Sequence, residues 1–202
     1  MKKDLAIKKL RYFAKLYSDN LLGHRILFIF QDIPFIEFIE VVFLETNFRH
    51  LTGVRTEMRN ASFFSACLNQ KLSPGGFSFA EDGTTTLKFQ VLDKILRIHE
   101  TARFIGDFDG RRPLLITDKL VGDNECCLGL QLKKKYYLPN TVLKSNIRQE
   151  VHRPARAILA TLRTERYEKE YGEICYLKPD IHLSELALPD NLIEIIHQSL
   201  LS

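Results

Sequence analysis

Residues 47–53 read Asn47-Phe48-Arg49-His50-Leu51-Thr52-Gly53. Taken as an extended segment closing on a glycine, they present His50 and Thr52 on one face, because side chains alternate along a strand. Arg103 and Lys119 fall at or near expected strands, where a buried cation requires an anionic partner. Tyr137-Leu138-Pro139-Asn140-Thr141 places hydroxyl and amide groups at a strand end. An imidazole, several cations and hydroxyl donors together suit metal-free cleavage of RNA. A base takes the proton of a ribose 2′-OH, which attacks the adjacent phosphorus, while cations and donors stabilise the charge that develops. A histidine with a pKa near 6.5 serves either proton role. Taken alone, a single histidine in a strand is more often structural than catalytic.

A second group of residues suits binding. Lys133-Lys134-Lys135-Tyr136-Tyr137 mixes cations with aromatics, and Arg153, Arg156, Arg163 and Arg166 follow closely. This mixture fits phosphate contact with base stacking, and also fits a solvated hairpin tip. Other groups point to no site. His99 lies beside Ile95 and Ile98 on a helix and reads as structural, and His24 and His182 have no supporting neighbours. Asp107, Asp109, Asp118 and Asp123 invite a two-metal reading, but Asp107-Phe108-Asp109-Gly110 is good turn chemistry, so no metal is expected. The cysteines, Cys67, Cys126, Cys127 and Cys175, form no Cys-x-x-Cys pair and read as free thiols. Neither a G-x-G-x-x-G loop nor a Walker lysine motif is present, and no cofactor is expected.

The elements that must position these groups follow from periodicity. Helices are expected over 4–22, from Asn60 through Leu68, over 85–101, over 142–151 and over 188–201. Strands are expected over 24–30 and 36–44. Hairpins are expected from 103–108 with 113–117, 124–132 with 135–138, and 155–164 with 173–177. Helices early and antiparallel strands late argue for an α+β fold. At 202 residues, with 45% apolar and 27% charged side chains, the chain suits one domain and an ordinary core. The net charge of +4 is compatible with nucleic acid and with many other partners. The longest apolar run, 26–30, is far short of the roughly 20 residues a bilayer needs, and the N-terminus lacks an apolar leader. A soluble, cytoplasmic protein is expected, without a membrane partner.

The run Asn47-Phe48-Arg49-His50-Leu51-Thr52-Gly53 resembles the Asn-Phe-x-His-Leu-Thr-Gly signature of the phage members of the Barnase–EndoU–colicin–RelE-like nuclease superfamily, fourth group. The downstream order is similar too, through Asp82-Gly83-Thr84-Thr85, Ala102-Arg103-Phe104-Ile105-Gly106-Asp107, Thr117-Asp118-Lys119 and Tyr137-Leu138-Pro139-Asn140-Thr141. The likeness covers roughly residues 36–178, with an extension at 1–35 and a helical segment at 179–202. It implies N-terminal helices packed on a mainly four-stranded antiparallel sheet whose exposed face holds an RNA site. It also implies a metal-independent ribonuclease, deployed as a toxin or in phage–host conflict, with an antitoxin or immunity protein as a possible partner. Matched to the motif positions, His50, Thr52, Arg103, Lys119 and Thr141 are the catalytic candidates. Lys88, Lys133, Lys134, Lys135, Tyr137, Asn140 and Arg163 are the substrate-binding ones. The rivals are a catalytically inactive RNA- or protein-binding module of the same fold, and an interaction protein docking through Leu192, Ile193, Ile195 and Ile196.

Overall fold

The structure is a computed structural model that describes residues 1–110 and 116–202. Helix α1 (Lys3–Asn20) buries Ala6, Leu10, Phe13, Ala14 and Tyr17 at helical spacing and leaves its lysines to solvent. The Tyr17 hydroxyl donates to the Leu44 carbonyl at 2.7 Å, and its ring sits 5.5 Å from Phe48 and 5.7 Å from Phe64. Strand β1 (His24–Asp32) turns into β2 (Phe35–Val42), antiparallel from Arg25↔Val42 to Asp32↔Phe35. Helices α2 (Phe48–Thr52), α3 (Asn60–Leu68), α4 (Thr84–Ile95) and α5 (Ile98–Thr101) follow. Then come β3 (Phe104–Asp107), β4 (Lys119–Gly122), β5 (Cys127–Lys133), β6 (Tyr136–Leu143), α6 (Ile147–Glu150), β7 (Arg156–Glu165), β8 (Glu173–Leu177) and α7 (Asp190–Ile193).

The expected four-stranded antiparallel sheet is not what forms. One mixed sheet of eight strands runs in the order β1-β2-β6-β5-β4-β3-β7-β8, and seven α-helices accompany it among the described residues, giving a mixed α/β fold. The β2–β6 contact is parallel, at Val41↔Tyr137, and β1 pairs with β7 as well as with β2, so the pairings close into a ring. The cause lies in β1. Residues 26–30 are fully buried on both faces: Ile26, Phe28 and Phe30 join the helical core, and Leu27 and Ile29 join a second core with Ala160 and Leu162. A strand apolar on both faces belongs in the middle of a sheet, with both edges paired. A strand counted as an N-terminal extension is therefore central.

Three further expectations are corrected. The helix over 85–101 breaks at Leu96 and Arg97 into α4 and α5. The helix expected over 188–201 stops at Ile193, because the Tyr171 amide donates to the Ile195 carbonyl and the His197 amide to the Tyr171 carbonyl, an extended pairing incompatible with further helix. The expected strand at 113–117 falls largely outside the described residues, and the described hairpin partner of β3 is β4. Leu192 and Ile196 are buried in the second core, whereas Ile193 is 42% exposed. Leu192→Ala is therefore expected to lower unfolding free energy by about 2–5 kcal/mol in chemical denaturation. Ile193→Ala, read the same way, stays within about 0.5 kcal/mol.

Candidate active site

Residues 47–53 form a turn of helix, not an extended segment. Phe48 and Leu51 stand three apart and both enter the core, the helical spacing that outweighs the apparent alternation. Asn47 anchors the turn: its Oδ1 accepts the Leu44 amide at 2.9 Å, and its Nδ2 donates to the Pro139 carbonyl of β6 at 3.0 Å. Gly53 ends the helix in the left-handed conformation, with φ 67°. His50 and Thr52 consequently part. His50 is exposed, whereas Thr52 is fully buried, its hydroxyl donating to the Arg49 carbonyl at 2.8 Å and accepting the Val54 amide at 3.3 Å. Thr52 is a cap and cannot touch a substrate.

Beneath His50 lies Lys88. It occupies the buried face of α4 with Thr85, Phe89 and Leu92, and is only 8% exposed. Its Nζ donates to the His50 carbonyl at 2.7 Å and to the Thr141 hydroxyl at 3.3 Å. No carboxylate pairs with it among the described residues. Burial lowers its pKa to about 8, with the charge of Asp82 opposing that shift. Three protons on an ammonium and two acceptors leave one donor over. The Gly53 position is made for this side chain, since a Cβ there would meet Lys88 Cδ at 2.9 Å. Partial burial, and then the cations of Arg49 and Lys88, lower the pKa of His50, so its ring is neutral at pH 7. Nε2 faces the Asn60 side-chain nitrogen at 3.2 Å, and the tautomer decides which ring nitrogen carries the proton.

His50 stands between two open depressions. One, of about 400 Å³, is lined by Arg49, Gly53, Arg55, Glu57, Lys88 and Asn140. The other, of about 420 Å³, is lined by Ile116, Gln131, Lys133, Leu138, Asn140 and Thr141. A neutral imidazole and an ammonium that no carboxylate pairs among the described residues thus line one open depression. The model of one protein family, phage-Barnase-EndoU-ColicinE5/D-RelE like nuclease4, matches residues 9–179. The chain belongs to this nuclease family. Neither a curated protein nor a solved structure matches it. The family match takes in most of α1 and all of β1, which agrees with their place in the common core and sheet.

Within this nuclease, the structure brings together His50, Lys88, Asn140 and Thr141, with Lys133 at the rim. Asn140 accepts from the Thr117 hydroxyl at 3.1 Å and donates to the Ile116 carbonyl. The other candidates face elsewhere. The Arg103 guanidinium lies 3.9 Å from the Tyr176 ring centroid and donates to the Glu100 and Ala102 carbonyls. Lys119 pairs with Asp107, which Arg156 also holds at 3.0 Å. Arg163 grips Glu173 with two bonds, at 2.8 and 2.6 Å. Tyr137 is half-buried against the helical core. Lys134 is the positive-φ residue of the β5–β6 turn, and Lys135 lies 4.8 Å from the Tyr136 ring. Arg55 and Gln131 line the depressions and were not singled out from the sequence. Gln131 stands opposite Leu138, instead of Pro139, because a bulge at Gly129/Leu130 resets the β5–β6 register.

All four cysteines are free, and burial pushes the Cys67, Cys126 and Cys175 thiols up to about 12, so none offers a thiolate near neutral pH. Among the described residues no group of three or more His, Cys, Asp or Glu side chains could hold a metal ion. No helix among them is long and apolar enough to cross a membrane.

Two outcomes are expected from stability measurements. Thr52→Val should cost about 1–3 kcal/mol, since it leaves the Val54 amide without its acceptor and takes one of two donors from the Arg49 carbonyl, with specific activity per folded molecule unchanged. Lys88 binds its proton less tightly folded than unfolded, so its burial penalty is complete below pH 8 and is relieved between about pH 8 and 10.5. Over that window wild type should gain about 3 kcal/mol relative to Lys88→Met, measured by urea titration at each pH.

Proposed function

We propose that this nuclease cleaves RNA without a metal ion, through attack of a ribose 2′-OH on the adjacent phosphorus. The observation that carries the proposal is the juxtaposition, on one depression, of an exposed, neutral imidazole with a buried ammonium that no carboxylate among the described residues neutralises. The neutral imidazole of His50 takes the proton of the 2′-OH. The O2′–P bond forms and the P–O5′ bond breaks, giving a 2′,3′-cyclic phosphate and a free 5′-hydroxyl. Lys88 supplies positive charge to the phosphorane oxygens through its remaining donor, and a proton to the departing 5′-oxygen is within reach of its lowered pKa. Thr141 orients the ammonium. Lys133 attracts the polyanion from the rim. The phage-type family supports a setting of phage–host conflict, in which the activity is that of a toxin and a neutralising antitoxin or immunity protein is its partner.

Activity requires His50 neutral and Lys88 protonated. The rate should therefore rise with pH below 6.5, fall again near pH 8, and lose its alkaline limb in Lys88→Arg, whose cation does not titrate there. His50→Ala should cut cleavage by about 10²-fold or more while leaving the melting temperature nearly unaltered, because the ring is exposed and holds one hydrogen bond. Cleavage should persist in excess EDTA. Loss of cleavage in EDTA with recovery in Mg²⁺ would overturn the metal-free mechanism, and normal cleavage by His50→Ala would leave a binding module of the same fold.

A further inference from the structure

The depression on the far side of His50 from Arg55 has a composition the cleavage chemistry does not use. Its walls are apolar: Ile116 is 79% exposed, Leu138 is half-buried, and Pro139 lies between Leu138 and Asn140. Into it projects the Gln131 amide, which hydrogen-bonds to no described residue. At its mouth stands Lys133, exposed and without an ion-pair partner among the described residues. By contrast Asn140, shared with the neighbouring depression, spends its amide on Thr117 and the Ile116 carbonyl and is rigid. A flat apolar wall, one adaptable amide and one cation are what a nucleobase and its flanking phosphate require.

We propose that this depression is a nucleobase subsite for single-stranded RNA, in which Ile116 and Leu138 contact the base, Gln131 reads its hydrogen-bonding edge and Lys133 holds the next phosphate. The inference rests on the cleavage of RNA at His50 and adds the form of the substrate and the residue that selects it. A duplex cannot enter, because its base edges are paired and its stacked faces are covered, whereas an unpaired base offers both. Gln131 carries one acceptor and two donors on a rotatable amide, so it discriminates among bases without rejecting any outright. The reason only this side selects is visible in the other depression, where Arg49, Arg55 and Lys88 provide charge and Glu57 opposes it. That side positions backbone and is indifferent to sequence.

The test uses the whole chain carrying His50→Ala, so that the RNA stays intact, and fluorescence anisotropy with labelled pentauridylate, pentacytidylate and pentaadenylate. The expected result is a spread of affinities among the three that Gln131→Leu compresses by about fivefold, the effect of one hydrogen bond lost to an apolar isostere. Gln131→Leu should leave the salt dependence unchanged, and Lys133→Ala should reduce its slope by about 0.7 while leaving the spread intact. A labelled RNA hairpin without unpaired ends should bind at least tenfold more weakly. An unchanged spread in Gln131→Leu, or equal binding of hairpin and single strand, would overturn the subsite. Failure of wild type to cleave any RNA, with the Gln131-dependent spread present, would instead remove the chemistry and leave the subsite standing.

Discussion

A buried ammonium sets the terms for this site. Taking Lys88 out of water without a carboxylate costs several kcal/mol, which only dipoles and hydrogen bonds can offset. The structure provides them from two directions. The last turn of α2 offers the His50 carbonyl, at the helix end where a positive charge is favoured, and β6 offers the Thr141 hydroxyl. Each contact in turn requires a residue with no side chain. Gly53 makes room for the lysine stem, and at Gly129 a Cβ would lie 2.6 Å from Thr141 Cγ2. The histidine, the glycine after it, the lysine and the threonine are therefore one arrangement, and a change at any of them reaches the others through Lys88.

That arrangement depends on α2 meeting β6, which is also where the sheet is thinnest. The ring of strands is closed between β2 and β6 by one residue pair, Val41↔Tyr137. Asn47 reinforces the junction from just beyond β2, with its amide on the Pro139 carbonyl. Asn47 thus does two jobs, holding the sheet closed and fixing the helix that carries His50. The aromatic packing of Phe48 on Tyr17 and Phe64 ties the same turn to α1 and α3. Edge-to-face rings contribute about 0.5–1.5 kcal/mol each beyond the area they bury. The exposed imidazole is therefore displayed on a short helix whose other side is among the most firmly packed parts of the chain.

Local chemistry was legible in the sequence, and long-range pairing was not. The helix α1, the strands β1 and β2, the β5–β6 and β7–β8 hairpins, and the importance of residues 47–53 could all be read from periodicity and turns. The same residues misled where two periods competed. Phe48 and Leu51 fit a helix, while Arg49, Leu51 and Gly53 fit an alternation, and only the core that receives Phe48 decides between them. The eight-stranded sheet was hidden because the apolar run of β1 marks a buried strand without naming β7, far along the chain, as its second neighbour. The cations divide in the same way. Lys88 stands between Leu87 and Phe89 and Lys119 between Asp118 and Leu120, and only the folded chain shows that Lys119 pairs with Asp107 whereas Lys88 meets no carboxylate among the described residues.

That difference bears on the proposed function, because a phosphate would meet an established ion pair at Lys119 and, among the described residues, no paired carboxylate at Lys88. Around Lys119 the charges alternate: Lys119 pairs with Asp107, Arg156 bridges Asp107 and Asp32, and the Arg156 guanidinium lies 4.9 Å from the Phe30 ring. Burial acts to raise the pKa of Asp107, yet Lys119, Arg156 and Arg153 together hold it below the ordinary carboxylate range. A phosphate entering there must displace a carboxylate that stays charged throughout the physiological range, exchanging one anion for another with little gain. At Lys88 the same phosphate would displace no carboxylate of the described residues and would relieve an ammonium whose pKa burial has lowered to about 8. Under the proposed cleavage of RNA, the desolvation cost carried by the free protein would be recovered when substrate binds, and most fully when a pentavalent phosphorus adds negative charge beside it. On that proposal, a lysine that destabilises the folded chain is the group best placed to stabilise the transition state.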